Sequence, residues 1–177
     1  MPRLIVLNGP PGAGKSTLAR RYADDHALAL NLDIDVIRAQ IGGWREDSTA
    51  AGLLAREITA AAVSTHLASG HDVVVPQFVA RPEFLERLER LAAQARFHEI
   101  VLLPDKQEAL RRFAERTRSA AERAHLEAHE MAGGPEGLAA SYDRLVAVLA
   151  NRPNAVVLPT VPGDVEGTYR DFLASLG

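Results

Sequence analysis

The sequence has no cysteine and no long apolar run. Without cysteine, its 177 residues can form neither a disulfide framework nor a cysteine-based metal site, and thiolate chemistry is excluded. No stretch of about eighteen consecutive apolar residues occurs, and the start, Met1-Pro2-Arg3, lacks the apolar core of a secretory signal. We therefore expect a cytoplasmic protein without a membrane partner.

The sequence also has no excess of basic residues over acidic ones. The formal net charge is −3, which provides no basic face for duplex nucleic acid, so no nucleic-acid partner is expected. Apolar residues make up 47% and charged residues 24%, as in ordinary soluble globular proteins. The length suits one domain with a full core, and we predict a single domain over residues 1–177.

Lysine is scarce, and one of the two lysines lies in a glycine-rich stretch. A short apolar run over residues 4–7 leads into Gly9-Pro-Pro-Gly-Ala-Gly-Lys-Ser16, and a helical pattern follows. A strand, a glycine loop and a helix in this order are the context that the phosphate-loop motif requires. A glycine turn that binds nothing is the alternative, but packing alone rarely produces this spacing. The sequence therefore predicts a phosphate-binding loop.

Each part of this loop has an expected role toward a nucleotide. Backbone N–H groups and the positive end of the helix can surround a polyphosphate. Lys15 reaches the β and γ phosphates, and the Ser16 hydroxyl can ligate Mg²⁺. The cofactors predicted are ATP and Mg²⁺. The predicted nucleotide-binding residues are Gly9, Gly12, Ala13, Gly14, Lys15, Ser16 and Thr17.

Further apolar runs alternate with helical patterns along the chain. The remaining strands are predicted over residues 28–32, 72–75, 97–103 and 155–158, with helices between them. The long helix over residues 49–69 is expected to carry one packed face, formed by Leu54, Ile58, Ala61, Ala62 and Thr65. This alternation predicts a three-layer α/β/α fold with a five-stranded parallel sheet.

Two carboxylates follow the second predicted strand. Ligands of open parallel sheets bind outside the carboxyl ends of the strands, so Asp33, Asp35 and Arg38 are candidates for the site. A carboxylate here can accept the proton of an attacking hydroxyl or hold Mg²⁺ through water, and Arg38 can bind an anionic or hydroxylated acceptor. The alternative is that one of the carboxylates caps the next helix.

Two further residues are candidates for substrate contact. Trp44 follows Gly42-Gly43 where an acceptor would enter, although a packing role is the first expectation for any tryptophan. Gln77 follows the third predicted strand. The segment 159–164, after the last strand, is expected to border the nucleobase.

The glycine loop together with Asp33-Ile-Asp35-Val-Ile-Arg38 resembles the small P-loop kinases. This family includes chloramphenicol phosphotransferase, zeta-toxin kinases, gluconate kinase and adenylylsulfate kinase. The resemblance implies a nucleoside-kinase-like P-loop fold in which Asp35 is the catalytic base and Arg38 contacts the substrate. Many relatives carry an aspartate after the third strand, whereas this chain has Pro76-Gln77, as in tunicamycin-resistance proteins.

The resemblance also implies a helical lid over about residues 111–134. Lid arginines of these kinases neutralise the transferring phosphoryl group, and Arg116 and Arg123 are the expected ones here. Arg112 could share a helix face with these two, Arg118 is the alternative partner, and a solvated helix balanced by glutamates is the other interpretation of the segment. His125 and His129 have the spacing of a zinc pair, but a solvated lid helix is the preferred interpretation.

These features predict an enzyme that moves the γ-phosphoryl of ATP to a hydroxyl of a small molecule, such as a metabolite, an antibiotic or a nucleotide sugar. A nucleotide-binding switch or vestigial NTPase that acts through a protein partner is the alternative. The missing aspartate after the third strand favours the switch, whereas Asp35 and Arg38 favour the kinase. A polynucleotide 5′-kinase would require a basic groove, which the overall charge does not suggest.

Overall fold

Five parallel strands form the centre of the protein, whose computed structural model describes residues 1–79, 82–119 and 133–177, with the backbone alone over 116–119. The strands hydrogen-bond in the order β2-β3-β1-β4-β5. All four neighbouring pairs are parallel, as predicted. The strands are β1 (Arg3–Asn8), β2 (Leu30–Asn31), β3 (Val73–Pro76), β4 (Arg96–Leu102) and β5 (Val156–Leu158).

Helices cover both faces of this sheet. The described helices are α1 (Lys15–Asp25), α2 (Ile34–Ala39), α3 (Ser48–Ala68), α4 (Pro82–Leu91), α5 (Lys106–Ser119), α6 (Gly134–Leu149) and α7 (Val165–Ser175). One apolar cluster joins one face of β1 and β3 to α2, α3 and α4, and a second joins the other face to α1 and α7. Because successive side chains of a strand point to opposite faces, the apolar run of β1 serves both clusters. The predicted three-layer architecture is confirmed.

The packed face of α3 differs from the predicted one. Its buried residues are Ala51, Ala55, Thr59, Ala60, Val63 and Leu67. Leu54 and Ile58, predicted on the packed face, are 50% and 43% exposed. Small side chains let a helix approach its neighbours closely. Thr59, a buried polar side chain on this face, donates its hydroxyl to the Ala55 carbonyl of the same helix at 2.8 Å. The prediction placed the large apolar side chains on the packed face, whereas the packed face consists mainly of small ones, so the prediction was wrong.

The second strand is shorter than predicted, and the next helix begins earlier. Leu28 has a left-handed φ of 61°, which keeps it out of the extended conformation, and β2 covers two residues only. Helix α2 begins at Ile34 because the Asp33 side chain accepts a hydrogen bond from the Asp35 N–H at 2.9 Å. Asp33 is thus the helix cap, and Asp35 lies in the first turn of α2.

The side chain of Asn8 joins the end of β1 to the segment after β3. Its Oδ1 accepts hydrogen bonds from the N–H groups of Gly9 and Val79, at 2.8 and 2.9 Å. Its Nδ2 donates to the Val79 carbonyl at 2.9 Å. Asn8 is fully buried, so no water replaces these bonds. One amide therefore sets the position of residue 79 relative to the start of the glycine loop.

A second polar cluster fixes the opposite end of the sheet. The fully buried Tyr22 donates its hydroxyl to Asp72 at 2.6 Å, and the other carboxylate oxygen accepts from the Arg3 N–H at 2.7 Å. Burial, and next the hydrogen bond to Asp72, raise the pKa of Tyr22 to about 12. This cluster ties α1 to the first residues of β1 and to the residue before β3.

No helix in the described ranges combines the length and the apolar character needed to cross a membrane.

We predict that Asn8→Ala lowers the free energy of unfolding by about 2–4 kcal/mol, because buried backbone groups of Gly9 and Val79 lose their partners. Denaturant unfolding measures this change. Asn151→Ala is the matched control, since its amide is exposed and makes one long bond of 3.5 Å; a change within about 0.5 kcal/mol is expected. Equal stability of the two variants would contradict the role given to Asn8.

A second prediction concerns alkaline pH. The phenol of Tyr22 stays protonated in the folded protein up to about pH 12, whereas in the unfolded chain it ionises near pH 10. The free energy of unfolding should therefore fall as the pH rises through this window. Tyr22→Phe should show a shallower fall over the same window, measured by urea unfolding. Parallel curves for the two proteins would contradict this linkage.

Candidate active site

The glycine loop between β1 and α1 depends on backbone conformations that favour glycine. Gly9, Gly12 and Gly14 have φ angles of 139°, 79° and 97°, a region that side chains disfavour. A Cβ at Gly9 would collide with the carbonyl oxygen of Leu102 at the end of β4. At Gly14 no atom lies within 4 Å of such a Cβ. The loop is therefore packed against the sheet at its start and open above its end.

The amino terminus of α1 faces this open space. Helix α1 begins at Lys15 directly after Gly14, and no side chain caps it. The first N–H groups of a helix have no acceptor within the helix, and they carry its positive dipole end. The Lys15 ammonium lies at the same place and donates to the Pro10 carbonyl at 2.9 Å. This concentration of donors and positive charge fits a polyphosphate.

Two adjoining cavities lie over the loop. The larger has a volume of about 530 Å³, and its lining includes Gly14, Lys15 and Ser16. The smaller, of about 260 Å³, extends between the loop and residues 160–165, after β5. Both cavities are lined by Gly12, Gly14, Thr17 and Arg112. One elongated ligand can therefore occupy both. Residues 160–164 of the segment predicted to border the nucleobase supply the far wall of the smaller cavity.

Arg112 of α5 lies where the two cavities meet. Its NH1 is 3.5 Å from the Gly12 carbonyl and 3.3 Å from the Thr160 hydroxyl, and its Nε donates to Glu108 at 2.6 Å. A Cβ at Gly12 would approach the Arg112 Cβ to 3.1 Å. Gly12 is thus needed for close contact between the loop and α5 as well as for its own φ angle.

The candidate acceptor residues form a second group around α2. Arg38 pairs with Asp35 at 3.1 Å, within the same helix. The Arg38 guanidinium also lies over the ring of Trp44, 5.3 Å from its centre, and Arg45 lies over the same ring at 4.5 Å. Trp44 is only 5% exposed. Trp44 is therefore packed, as first expected, and also contacts Arg38.

Gln77 lies after β3. Its N–H donates to the Leu7 carbonyl at 3.0 Å and extends the pairing between β3 and β1. Its side-chain oxygen is buried without a hydrogen-bond partner. A buried acceptor of this kind is costly unless a ligand or water pairs with it. Gln77 can accept a hydrogen bond but brings no negative charge for a metal ion.

The predicted site residues thus fall into two groups. The cavities over the glycine loop are lined by Gly12, Ala13, Gly14, Lys15, Ser16 and Thr17. The second group consists of Asp33, Asp35, Arg38 and Trp44; none of its members lines either of these two cavities. Gly9 lies beneath the loop, buried against β4.

The predicted lid falls largely outside the described residues. Arg116 and Arg118 belong to α5, but their side chains lie outside the described residues. Arg123, His125 and His129 lie outside them entirely, as does most of the predicted lid. Among the described residues no group of three or more potential metal ligands occurs.

The sequence analysis missed Asn8 and Glu108 as site residues, and it missed the contact of Thr160 with Arg112. A polar residue at the end of the buried run of β1 was the available signal for Asn8. Glu108 precedes Arg112 by four residues, the spacing of an ion pair on a helix. Thr160 lies in the segment predicted to border the nucleobase, but its contact with Arg112 had no signal, because that contact depends on how the loop after β5 folds back.

Structural comparison finds the same fold in proteins of low sequence identity. A candidate kinase from Chloroflexus aurantiacus is 20% identical, with a TM-score of 0.68, covering 99% of this chain and 96% of its own. The APS kinase of Mycobacterium tuberculosis in complex with AMPPNP and APS is 16% identical, with a TM-score of 0.62 and coverages of 99% and 97%. A gluconokinase from Sinorhizobium meliloti is 18% identical, with a TM-score of 0.60 and coverages of 99% and 91%.

Comparison with the curated proteins gives no match. Residues 4–133, most of the chain, match the AAA domain family AAA_33. This range contains the glycine loop, α2 and the arginine-rich α5. The resemblance to small P-loop kinases is confirmed at the level of the fold. The chain belongs to the AAA domain family and has a P-loop kinase-like α/β fold.

Proposed function

We propose that the protein is an ATP- and Mg²⁺-dependent phosphotransferase that moves the γ-phosphoryl to a hydroxyl of a small molecule. The observation that carries this proposal is the amino terminus of α1, which has no side-chain cap and lies with Lys15 beside two adjoining cavities. Such a site suits a ligand with a polyphosphate at one end and a base at the other. The kinases with the same fold support the reaction class.

The phosphate end of the nucleotide belongs in the larger cavity. The N–H groups around Gly14 and the Lys15 ammonium would hold the phosphate oxygens. The Ser16 hydroxyl, which lines this cavity, would hold Mg²⁺. The bound metal ion would offset negative charge on the β and γ phosphates. Thr17 lines both cavities and belongs to the same binding site.

The base belongs in the smaller cavity, against residues 160–165 after β5. Leu18, Val161 and Val165 give this cavity apolar walls, and Thr160 and Thr168 give it hydroxyl groups. A flat aromatic base can pack on apolar walls, while hydroxyl groups can form hydrogen bonds with its polar edge. This lining favours a nucleoside at this end without choosing between adenine and guanine.

We assign the role of acceptor-activating base to Asp35. Asp33 is engaged in capping α2, and its carboxylate accepts the Asp35 N–H. Asp35 is paired with Arg38, a cation that can hold an acceptor next to that carboxylate. Trp44 would form the apolar side of the acceptor site, and the unpaired oxygen of Gln77 would accept a hydrogen bond from an acceptor hydroxyl.

From the sequence alone, we also assign Arg116 and Arg123 a role in phosphoryl transfer. Their guanidinium groups would neutralise the charge that develops on the transferring phosphoryl group.

A nucleotide-binding switch that acts through a protein partner is the second candidate. The neutral Gln77 favours it, since this side chain cannot supply the metal-directed charge of the aspartate in many related kinases. ADP release, measured with and without a panel of hydroxylated small molecules, separates the two functions. Acceleration by an acceptor supports the phosphotransferase, whereas acceleration only by a protein supports the switch.

We predict that Lys15→Ala weakens binding of Mg²⁺-ATP or abolishes turnover without unfolding the protein, because the ammonium would pair with phosphate oxygens in the larger cavity. Calorimetry measures the affinity, and circular dichroism checks the fold. Lys106→Ala is the matched control, since this lysine pairs with Asp143 on α6. Unchanged affinity and turnover of a folded Lys15→Ala protein would contradict the proposed nucleotide site.

For the acceptor side, Asp35→Asn should lower kcat by about 10² to 10⁴, the range for loss of a general base, with unchanged ATP affinity. Asp33→Asn is the matched comparison, because asparagine also caps helices well. Asp33 is nearer the strand, and we assign it to the water shell of Mg²⁺. Asp33→Asn should therefore keep its stability and raise the Mg²⁺ concentration needed for half-maximal rate. Steady-state rates with a true acceptor measure both effects. If Asp33→Asn lost kcat while Asp35→Asn shifted only the Mg²⁺ dependence, the two assignments would be exchanged.

A further inference from the structure

Arg112 is held by contacts on three sides. Glu108 accepts from its Nε, while its NH1 lies against the Gly12 carbonyl of the glycine loop and the Thr160 hydroxyl of the loop after β5. These two loops are the opposite walls of the smaller cavity. One guanidinium therefore bridges the two walls.

The remaining nitrogen of this guanidinium has no partner. The NH2 group of Arg112 is buried and makes no hydrogen bond. A buried N–H group of a cation without an acceptor is unfavourable. Arg112 lines both cavities, so a ligand that spans them would bring acceptor oxygens next to this side chain. A phosphate oxygen would be a charge-assisted acceptor of the kind that this group lacks.

Glu108 fixes the direction of this guanidinium. Its two oxygens also accept from the Nε and NH2 of Arg111, each at 2.8 Å. The hydrogen bonds from Arg111, and next those from Arg112, hold the pKa of Glu108 at about 2. The carboxylate is therefore ionised at any physiological pH. Asp105 caps the same turn by accepting the Glu108 N–H at 2.9 Å, so the backbone that carries Glu108 is fixed as well.

We infer that Glu108 is a positioning residue that holds Arg112 as a bridge between the glycine loop and the loop after β5, and that this bridge sets the affinity for the nucleotide. The inference rests on the proposed nucleotide site but not on the identity of the acceptor or on phosphoryl transfer. It gives Arg112 a role in binding, distinct from the transition-state role proposed for Arg116 and Arg123.

The sign of the effect distinguishes positioning from simple electrostatics. Glu108 is a negative charge near a site for an anion. If it acted by charge alone, its removal would strengthen nucleotide binding. If it orients Arg112, its removal frees the guanidinium to rotate away from both loops, and binding weakens. The two roles therefore predict opposite changes in Kd.

The test is a double-mutant cycle on nucleotide affinity with Glu108→Ala, Arg112→Ala and the double variant. Isothermal calorimetry with Mg²⁺ and a non-hydrolysable ATP analogue gives Kd without any acceptor. Each single variant should bind about ten- to a hundredfold more weakly, the range for a hydrogen bond to a charged group. The double variant should bind no more weakly than Arg112→Ala alone, because Glu108 acts through Arg112.

Arg111→Ala is the control for the loss of ion pairing on α5. It removes the other partner of Glu108, and its own side chain is 51% exposed. Its Kd should stay within about twofold of the wild-type value, since an exposed ion pair contributes little. Glu108→Gln provides a second, milder variant, which keeps the shape and one acceptor oxygen. It should weaken binding less than Glu108→Ala.

Three results would overturn the inference: tighter or unchanged binding by folded Glu108→Ala, additive losses in the double variant, or an equal loss in Arg111→Ala. If Glu108→Ala fails to fold, as judged by circular dichroism, Glu108→Gln decides in its place, and unchanged binding by it overturns the inference. Absence of nucleotide binding by the wild type would refute the proposed function together with the inference. Nucleotide binding without turnover on any acceptor would leave the inference intact.

Discussion

The left-handed backbone of three glycines is the constraint on which the rest of the site depends. Gly9 turns the chain directly beneath the Leu102 carbonyl, Gly12 meets α5, and Gly14 leads into α1 without a capping side chain. Any Cβ at Gly9 would push β4 away, and one at Gly12 would crowd Arg112. Because of this path, the start of α1 and the Lys15 ammonium face the larger cavity. Donors and positive charge gathered at one place favour an anionic ligand.

The sheet supports this loop from below through polar contacts as well as apolar ones. Two apolar clusters fix the strands between their helices, and the buried Asn8 joins the loop to the segment after β3. The Asn8 amide therefore adds a buried polar link between the glycine loop and the segment after β3, beside the backbone pairing of β1 with β3. Gln77, in the same segment, has a buried oxygen without a partner, which is consistent with a place for a substrate hydroxyl.

The charged side chains around α2 and those on α5 are arranged differently. Around α2, Asp35 and Arg38 neutralise each other next to Trp44, which leaves both groups in place for a polar acceptor. On α5, Glu108 accepts hydrogen bonds from two arginines; Arg111 faces solvent, and Arg112 faces the cavities. Neighbouring arginines of one helix thus have different surroundings, and helical spacing alone does not separate them.

The sequence by itself determined the glycine loop, the alternation of strands and helices, and the parallel sheet, because these depend on local patterns of glycine and apolar residues. It left open which of Asp33 and Asp35 caps α2, and the choice of Asp33 follows from where the helix begins. The packed face of α3 was predicted wrongly, since close approach selects small side chains over the more apolar Leu54 and Ile58. The strand order, the contacts between Asn8 and Val79, and the bridge from Arg112 to Thr160 all join residues that are far apart in the sequence. Only the tertiary structure could decide these, because no local pattern records which distant segments meet.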